Sequence, residues 1–148
     1  IASDIIEHLA DRNLALAKWI HFLRPGGWPL IFVPAFRLLW SSHDVVNYHF
    51  TRYTRRQFLH ELRRAGFDVT RSTYWNFFLF PAAALPRLLG KWSSRPDEAH
   101  TGQLSQPPRP VNALLTSLLG IEDRLILAGI TFPMGLSVMA IARRPLQP

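Results

Sequence analysis

Three short clusters in this 148-residue chain carry side chains able to do chemistry. Ser3-Asp4-Ile5-Ile6-Glu7-His8 sets two carboxylates and an imidazole close together. His43-Asp44 and Tyr48-His49 follow, with Arg52-Tyr53 just behind them and Arg55-Arg56 after that. An imidazole titrates near neutrality, the range a general base needs, and His8 with Glu7 beside it is the candidate. The competing reading has Glu7 and His8 only cap or begin the next segment. Asp4-x-x-Glu7-His8 also offers three ligand atoms to a divalent metal. With no geometry behind that set, surface charge is the preferred reading and no metal is assigned. Arg52, Arg55 and Arg56 suit a phosphate at a helix N-terminus. A solvated basic first turn is the simpler account.

Composition narrows the classes. A mass of 17.0 kDa is one domain's worth, and 48% hydrophobic residues exclude a fully disordered chain. A bilayer span needs ~18 apolar residues. The nearest approach, the uncharged stretch Leu125–Ala142, is broken by Gly129, Pro133 and Gly135. Cysteine is absent, which excludes disulfides and thiolate metal sites. The net charge of +7 comes mostly from arginine, since Lys18 and Lys91 are the only lysines. Arginine suits phosphate and carboxylate. Nucleic acid, an anionic membrane surface, or a basic surface with no dedicated partner all fit that balance.

The elements that must position these residues alternate in type. Asp11 is an N-cap for a helix from Arg12 to about Leu23, with Leu16, Trp19, Ile20 and Leu23 on one stripe. Arg24-Pro25-Gly26-Gly27 stops it in a type II turn. Trp28–Val33 is a continuous apolar run, the pattern of a strand covered on both faces. Pro34–Tyr53 reads as an irregular loop. Thr54-Arg55-Arg56-Gln57 matches a capping box, with Tyr53 and Phe58 placed for a hydrophobic staple. That helix ends at Gly66, and Phe67–Tyr74 reads as a strand. Val111–Ala128 is helical and Gly135–Arg143 a last buried strand. The alternation argues α/β.

In this order and spacing, Asp4-Ile5-Ile6-Glu7-His8, Leu23-Arg24-Pro25-Gly26-Gly27 before a strand ending Val33-Pro34, and Tyr53-Thr54-Arg55-Arg56 opening a helix that ends Ala65-Gly66-Phe67 resemble one family. The chain resembles the C-terminal half of a class I S-adenosylmethionine-dependent methyltransferase, of the broad group acting on small molecules and lipids. The resemblance covers residues 1–74 and the closing strand. It implies a partial Rossmann-like sheet. Ile1–Asp4 would be the tail of the fourth strand, Trp28–Val33 the fifth, Phe67–Tyr74 the sixth and Gly135–Arg143 the antiparallel seventh, lying between the fifth and sixth. No Gly-x-Gly occurs in the sequence, so the main cofactor loop is absent and the upstream half is expected to be missing. Ile1, Ile5 and Ile6 are then expected to be unusually exposed.

The resemblance also implies roles. Ser3 and Asp4 would touch the cofactor, S-adenosylmethionine. Glu7 and His8 would be catalytic, with His8 the base. His43, Asp44, His49, Arg52 and Tyr53 would border the substrate. A loop packed by Trp40, Tyr48 and Tyr53 with its polar tips in water is the other account.

Residues 75–134 exceed what a minimal methyltransferase needs. They hold two apolar segments around a Pro-rich linker near 91–110. Arg87, Lys91 and Arg95 flank an apolar helix, the composition of an interfacial membrane helix. Packing on the sheet, a dimer contact, or a lid over a lipid-like acceptor are the alternatives. The expectation is a cytoplasmic enzyme fragment of one domain, with a small-molecule or lipid acceptor and peripheral membrane contact through 75–134. No specific nucleic acid is expected. The rival is a non-catalytic basic module binding membrane or RNA. Its weakness is that Phe77-Phe78-Leu79-Phe80 is not interleaved with arginine as a stacking platform would be.

Overall fold

A computed structural model describes residues 1–40, 42–88 and 107–146, except the side chains of 42–43 and 86–88. Four strands form one sheet in the order β1 (Ala2–Ser3), β2 (Leu30–Pro34), β4 (Ser137–Arg143), β3 (Asp68–Trp75). β1 runs parallel to β2, while β4 is antiparallel to both of its neighbours. The expected placement of the last strand is therefore found. β4 starts beside the end of β3, with Ser137 opposite Trp75, and runs back between β2 and β3.

The helices begin where local chemistry starts them. The Asp11 carboxylate accepts the Leu14 N–H at 2.9 Å and caps α1 (Arg12–Phe22). Thr54 and Gln57 satisfy each other's backbone N–H groups and start α3 (Arg55–Arg64). The Tyr53 and Phe58 rings meet edge to face at 5.4 Å, completing the staple. Gly26 takes φ +77°, and the Gly27 N–H reaches the Arg24 carbonyl at 2.7 Å, which closes the turn into β2. The stretch 34–53, expected to be irregular, contains a 3-10 turn at Arg37–Leu39 and the short helix α2 (Ser42–Val46).

The larger part of the core lies on one face of the sheet, with Met139, Ile126 and Phe132 buried on the other. Ile31, Val33, Val138, Ala140 and Ala142 pack on the first face with Leu16, Phe58 and Leu62. β2 was expected to be covered on both faces. It instead alternates, with Leu30 and Phe32 only half-buried. The reason is the second face's cover, α5 (Arg109–Leu127). It stands off, leaving a cavity of about 420 Å³ lined by Leu30, Phe32, Met139, Ile126 and Leu127.

Polar ties moor α5. Buried Glu122 accepts the Phe77 and Phe78 N–H groups at 3.0 and 3.3 Å. The Trp75 indole donates to Asp123 at 3.1 Å, and Arg71 donates to the Ile126 carbonyl. The aromatic run before α4 (Phe80–Leu88) finds partners inside the chain. Phe77 stacks on Phe132 at 4.8 Å, and Phe80 meets Phe36 at 5.7 Å. No helix among the described residues is long and apolar enough to cross a membrane. Arg87's side chain, Lys91, Arg95 and most of the Pro-rich linker lie outside the described residues.

At the β1 edge, Ile1 and Ile5 are 95% and 43% exposed, as expected. Ile6 is not. It is fully buried, because the 3-10 turn Ile6–His8 rotates it into the core.

Candidate functional site

The site is built where β1 and β2 end. After Ser3, Asp4 takes φ +51°, a left-handed kink that aspartate tolerates better than most residues. The 3-10 turn that follows sends Ile6 and Glu7 inward and leaves His8 exposed. The Phe50 N–H donates to the Glu7 carbonyl at 2.7 Å, tying this turn to the segment behind α2. The Glu7 side chain is fully buried, and among the described residues neither carboxylate oxygen has a hydrogen-bond partner. Burial pushes its pKa from 4.5 up to about 7. The Glu7 backbone N–H offsets part of this, the Asp4 charge and its side chain, close to hydrogen-bonding reach, add to the rise, and the Arg52 guanidinium lowers it again.

The second half of the site is a charge network behind α2. Buried Asp44 accepts from Arg52 Nε at 2.7 Å and from Nη2 at 3.1 Å, a two-pronged pair. Arg52 Nη1 donates to the Ala35 carbonyl at 3.1 Å, which anchors the fork to the end of β2. His49 Nδ1 lies 2.8 Å from Asp44 Oδ1. A carboxylate accepts, so His49 Nδ1 is the donor in this bond, and in the neutral ring Nε2 would carry the lone pair. The His8 ring stands edge-on against His49, with centroids 4.6 Å apart and planes at 82°. One donor atom from each of Glu7, His8 and His49 lies within 4.8 Å of the others.

His8, His49 and Arg52 face a cavity of about 470 Å³. Asp4, His8, Asn47, His49 and Arg52 form its polar wall, and Pro34, Ala83 and Leu136 its apolar side. The cavity lies outside the carboxyl ends of the parallel strands, where α/β sheets bind ligands. It offers an imidazole held at Nδ1 by Asp44, a second imidazole beside it, and the Asp4 carboxylate and Arg52 guanidinium in the wall. That set can take a proton from a hydroxyl or coordinate a cation.

The residues named from the sequence do not all converge here. Asp4, His8, His49 and Arg52 line the cavity. Glu7 and Asp44 stand behind it, buried. The Ser3 hydroxyl donates to the Asp4 carboxylate at 2.8 Å. Tyr53 is buried in the core and faces a separate cavity of about 280 Å³ with Arg12, Arg37 and Glu61. Its burial raises the phenol's pKa above the ordinary value. His43 sits on α2, and its side chain lies outside the described residues.

Asn47, Ala83 and Leu136 were not named from the sequence, and no motif signals them. Glu122 was also missed. Its signal was available, because it falls midway between Leu118 and Ile126 on one helical stripe, an acid in an apolar row.

No family model and no curated protein matches the sequence. Solved structures do resemble the fold. A chain of the complex between the Haloferax volcanii Trm112 methyltransferase activator and a methyltransferase matches at a TM-score of 0.50 and 13% identity. The match covers 99% of this chain and 53% of that one. Phosphoethanolamine N-methyltransferase 2 of Haemonchus contortus, in complex with S-adenosyl-L-methionine, matches at a TM-score of 0.47 and 17% identity. That match covers 97% of this chain and 32% of the other. The fold of the chain is methyltransferase-like, an α/β arrangement around a mixed sheet. The chain spans about half the length of the first of these structures.

Proposed function

We propose that the chain is the C-terminal half of a methyltransferase domain that moves a methyl group from S-adenosylmethionine to a small hydroxyl-bearing or lipid-like acceptor. The observation that carries the reading is the cavity at the ends of β1 and β2, walled by Asp4, His8 and His49 within a methyltransferase-like fold. On this reading β1, β2, β3 and β4 are the fourth, fifth, sixth and antiparallel seventh strands of the complete sheet. The span of about half a similar structure's length accords with that.

The residues fit the methyl donor only in part. Asp4, in the cavity wall, suits an ammonium or hydroxyl group, while no Gly-x-Gly turn is present to approach it. When bound, S-adenosylmethionine supplies a methyl group on a sulfonium. This chain's own task is to place the acceptor and receive its proton. Asp44 holds His49 so that Nε2 is the free nitrogen, and His8 stands beside it at the cavity wall. Ala83 of α4 contributes to the apolar side, where an acceptor's hydrocarbon portion would lie.

Calorimetry with S-adenosylhomocysteine tests the reading. The chain alone should bind it weakly or not at all. A polypeptide that restores the preceding half of the domain should bind it and transfer labelled methyl to an acceptor. Equal failure of both polypeptides overturns the proposal.

A further inference from the structure

Among the described residues, Glu7 is a fully buried carboxylate with neither oxygen in a hydrogen bond of good geometry. Burying a carboxyl without such a partner is costly. An orphaned buried group of this kind calls for a proton, a water or an ion. Two imidazoles share its neighbourhood, with one donor atom from each of the three residues inside 4.8 Å.

We propose that Glu7, His8 and His49 bind one divalent transition-metal ion, with Asp44 as the outer carboxylate that orients His49. Two imidazoles and a carboxylate are the donors preferred by manganese, iron, cobalt and zinc, whereas magnesium and calcium prefer oxygen throughout. Asp44 on His49 Nδ1 is the outer-shell arrangement that turns Nε2 toward a metal. Metal–ligand bonds of about 2.1 Å place two ligand atoms at most ~4.2 Å apart. The cluster must therefore tighten slightly from its 4.8 Å limit. His8 can supply this movement, since it is exposed on a short turn, while Glu7 is locked in place.

The charges agree with a cation. Asp44 is paired with Arg52, so Glu7 and nearby Asp4 remain to balance the ion. Three protein ligands leave coordination positions open, and His8 and His49 wall the cavity. A water or an acceptor oxygen entering there would be acidified by the ion, and the imidazoles would then serve as ligands. This deepens the methyl-transfer reading of the same cavity. Ion binding itself needs no methyl donor.

The test uses the full chain, dialysed against chelator and titrated with Mn²⁺, Co²⁺ and Zn²⁺ by calorimetry. Co²⁺ absorption follows its coordination. One ion per chain is expected. Glu7→Gln keeps the buried shape while removing the ligand charge. It should weaken Mn²⁺ binding at least about tenfold, as should His8→Ala and His49→Ala. Asp44→Asn should weaken it by about tenfold through loss of ring orientation, and His60→Ala, on exposed α3, should leave it unchanged. Circular dichroism confirms that Glu7→Gln is folded. No stoichiometric binding at millimolar metal, or undiminished binding in folded Glu7→Gln, overturns the proposal. Either result leaves the methyl-transfer reading to its own test, because no methyl donor is present.

Discussion

Glu7 and Arg52 show two opposite ways in which burial couples charge to stability. In the metal-free chain Glu7 keeps its proton to about pH 7, against 4.5 in ordinary surroundings. The sign follows from linkage. Below about 4.5 both folded and unfolded chains hold the proton, and stability is highest as far as this group is concerned. As pH rises toward 7 the unfolded chain releases the proton and the folded chain does not, so stability falls by roughly 3 kcal/mol across that window. Urea denaturation in chelator from pH 4.5 to 8 should show the decline, and Glu7→Gln should flatten it. Arg52 behaves differently, because it forms a two-pronged pair with the buried Asp44 carboxylate. Arg52→Met leaves that carboxylate with one strong donor fewer and should cost about 3 kcal/mol in the same assay.

The elements hold these side chains through close backbone approach as much as through packing. Gly135, which leads into β4, shows the limit. A Cβ there would lie 2.4 Å from the Trp75 carbonyl oxygen, so the two strand ends would have to separate. Gly135→Ala should destabilise the chain by about 2 kcal/mol or more. Hydrogen exchange should quicken at the β3–β4 pairs nearest the change, Trp75 with Ser137 and Tyr74 with Val138. Unaltered protection there would show that the backbone can accommodate a methyl group. Glu122 holds the next layer, because its carboxylate is the shared acceptor for the turn that begins α4.

At the scale of the whole molecule, the apolar surface is uneven. Among the described residues β1 pairs only with β2, and beside it Ile1, Ile5, Phe22 and Trp28 line an open groove of about 290 Å³. Trp28 is 55% exposed and Phe22 82%. Exposed apolar patches of this kind bind hydrophobic dyes and mark sites that partners cover. The chain should enhance the fluorescence of 8-anilinonaphthalene-1-sulfonate, and Trp28→Ser should reduce that enhancement by half or more. A chain that leaves the dye dark would show the groove closed in solution.

What the sequence alone determined is what short-range chemistry decides. The Asp11 cap, the Thr54–Gln57 box, the Pro25-Gly26 turn and the Tyr53–Phe58 staple each involve residues within one turn of each other, so their spacing is their geometry. Strand and helix order followed from the same periodicities. The sequence also picked out Glu7, His8, Asp44, His49 and Arg52 as chemically capable, but it could not pair them. Tertiary structure decided that Asp44 faces Arg52 and His49, that Tyr53 belongs to the core, and that Ile6 and Glu7 point inward. It also decided that α5 covers one sheet face only loosely. These outcomes depend on which elements meet across long chain separations. The free energy there comes from burial and pairing that exist only once the sheet is assembled.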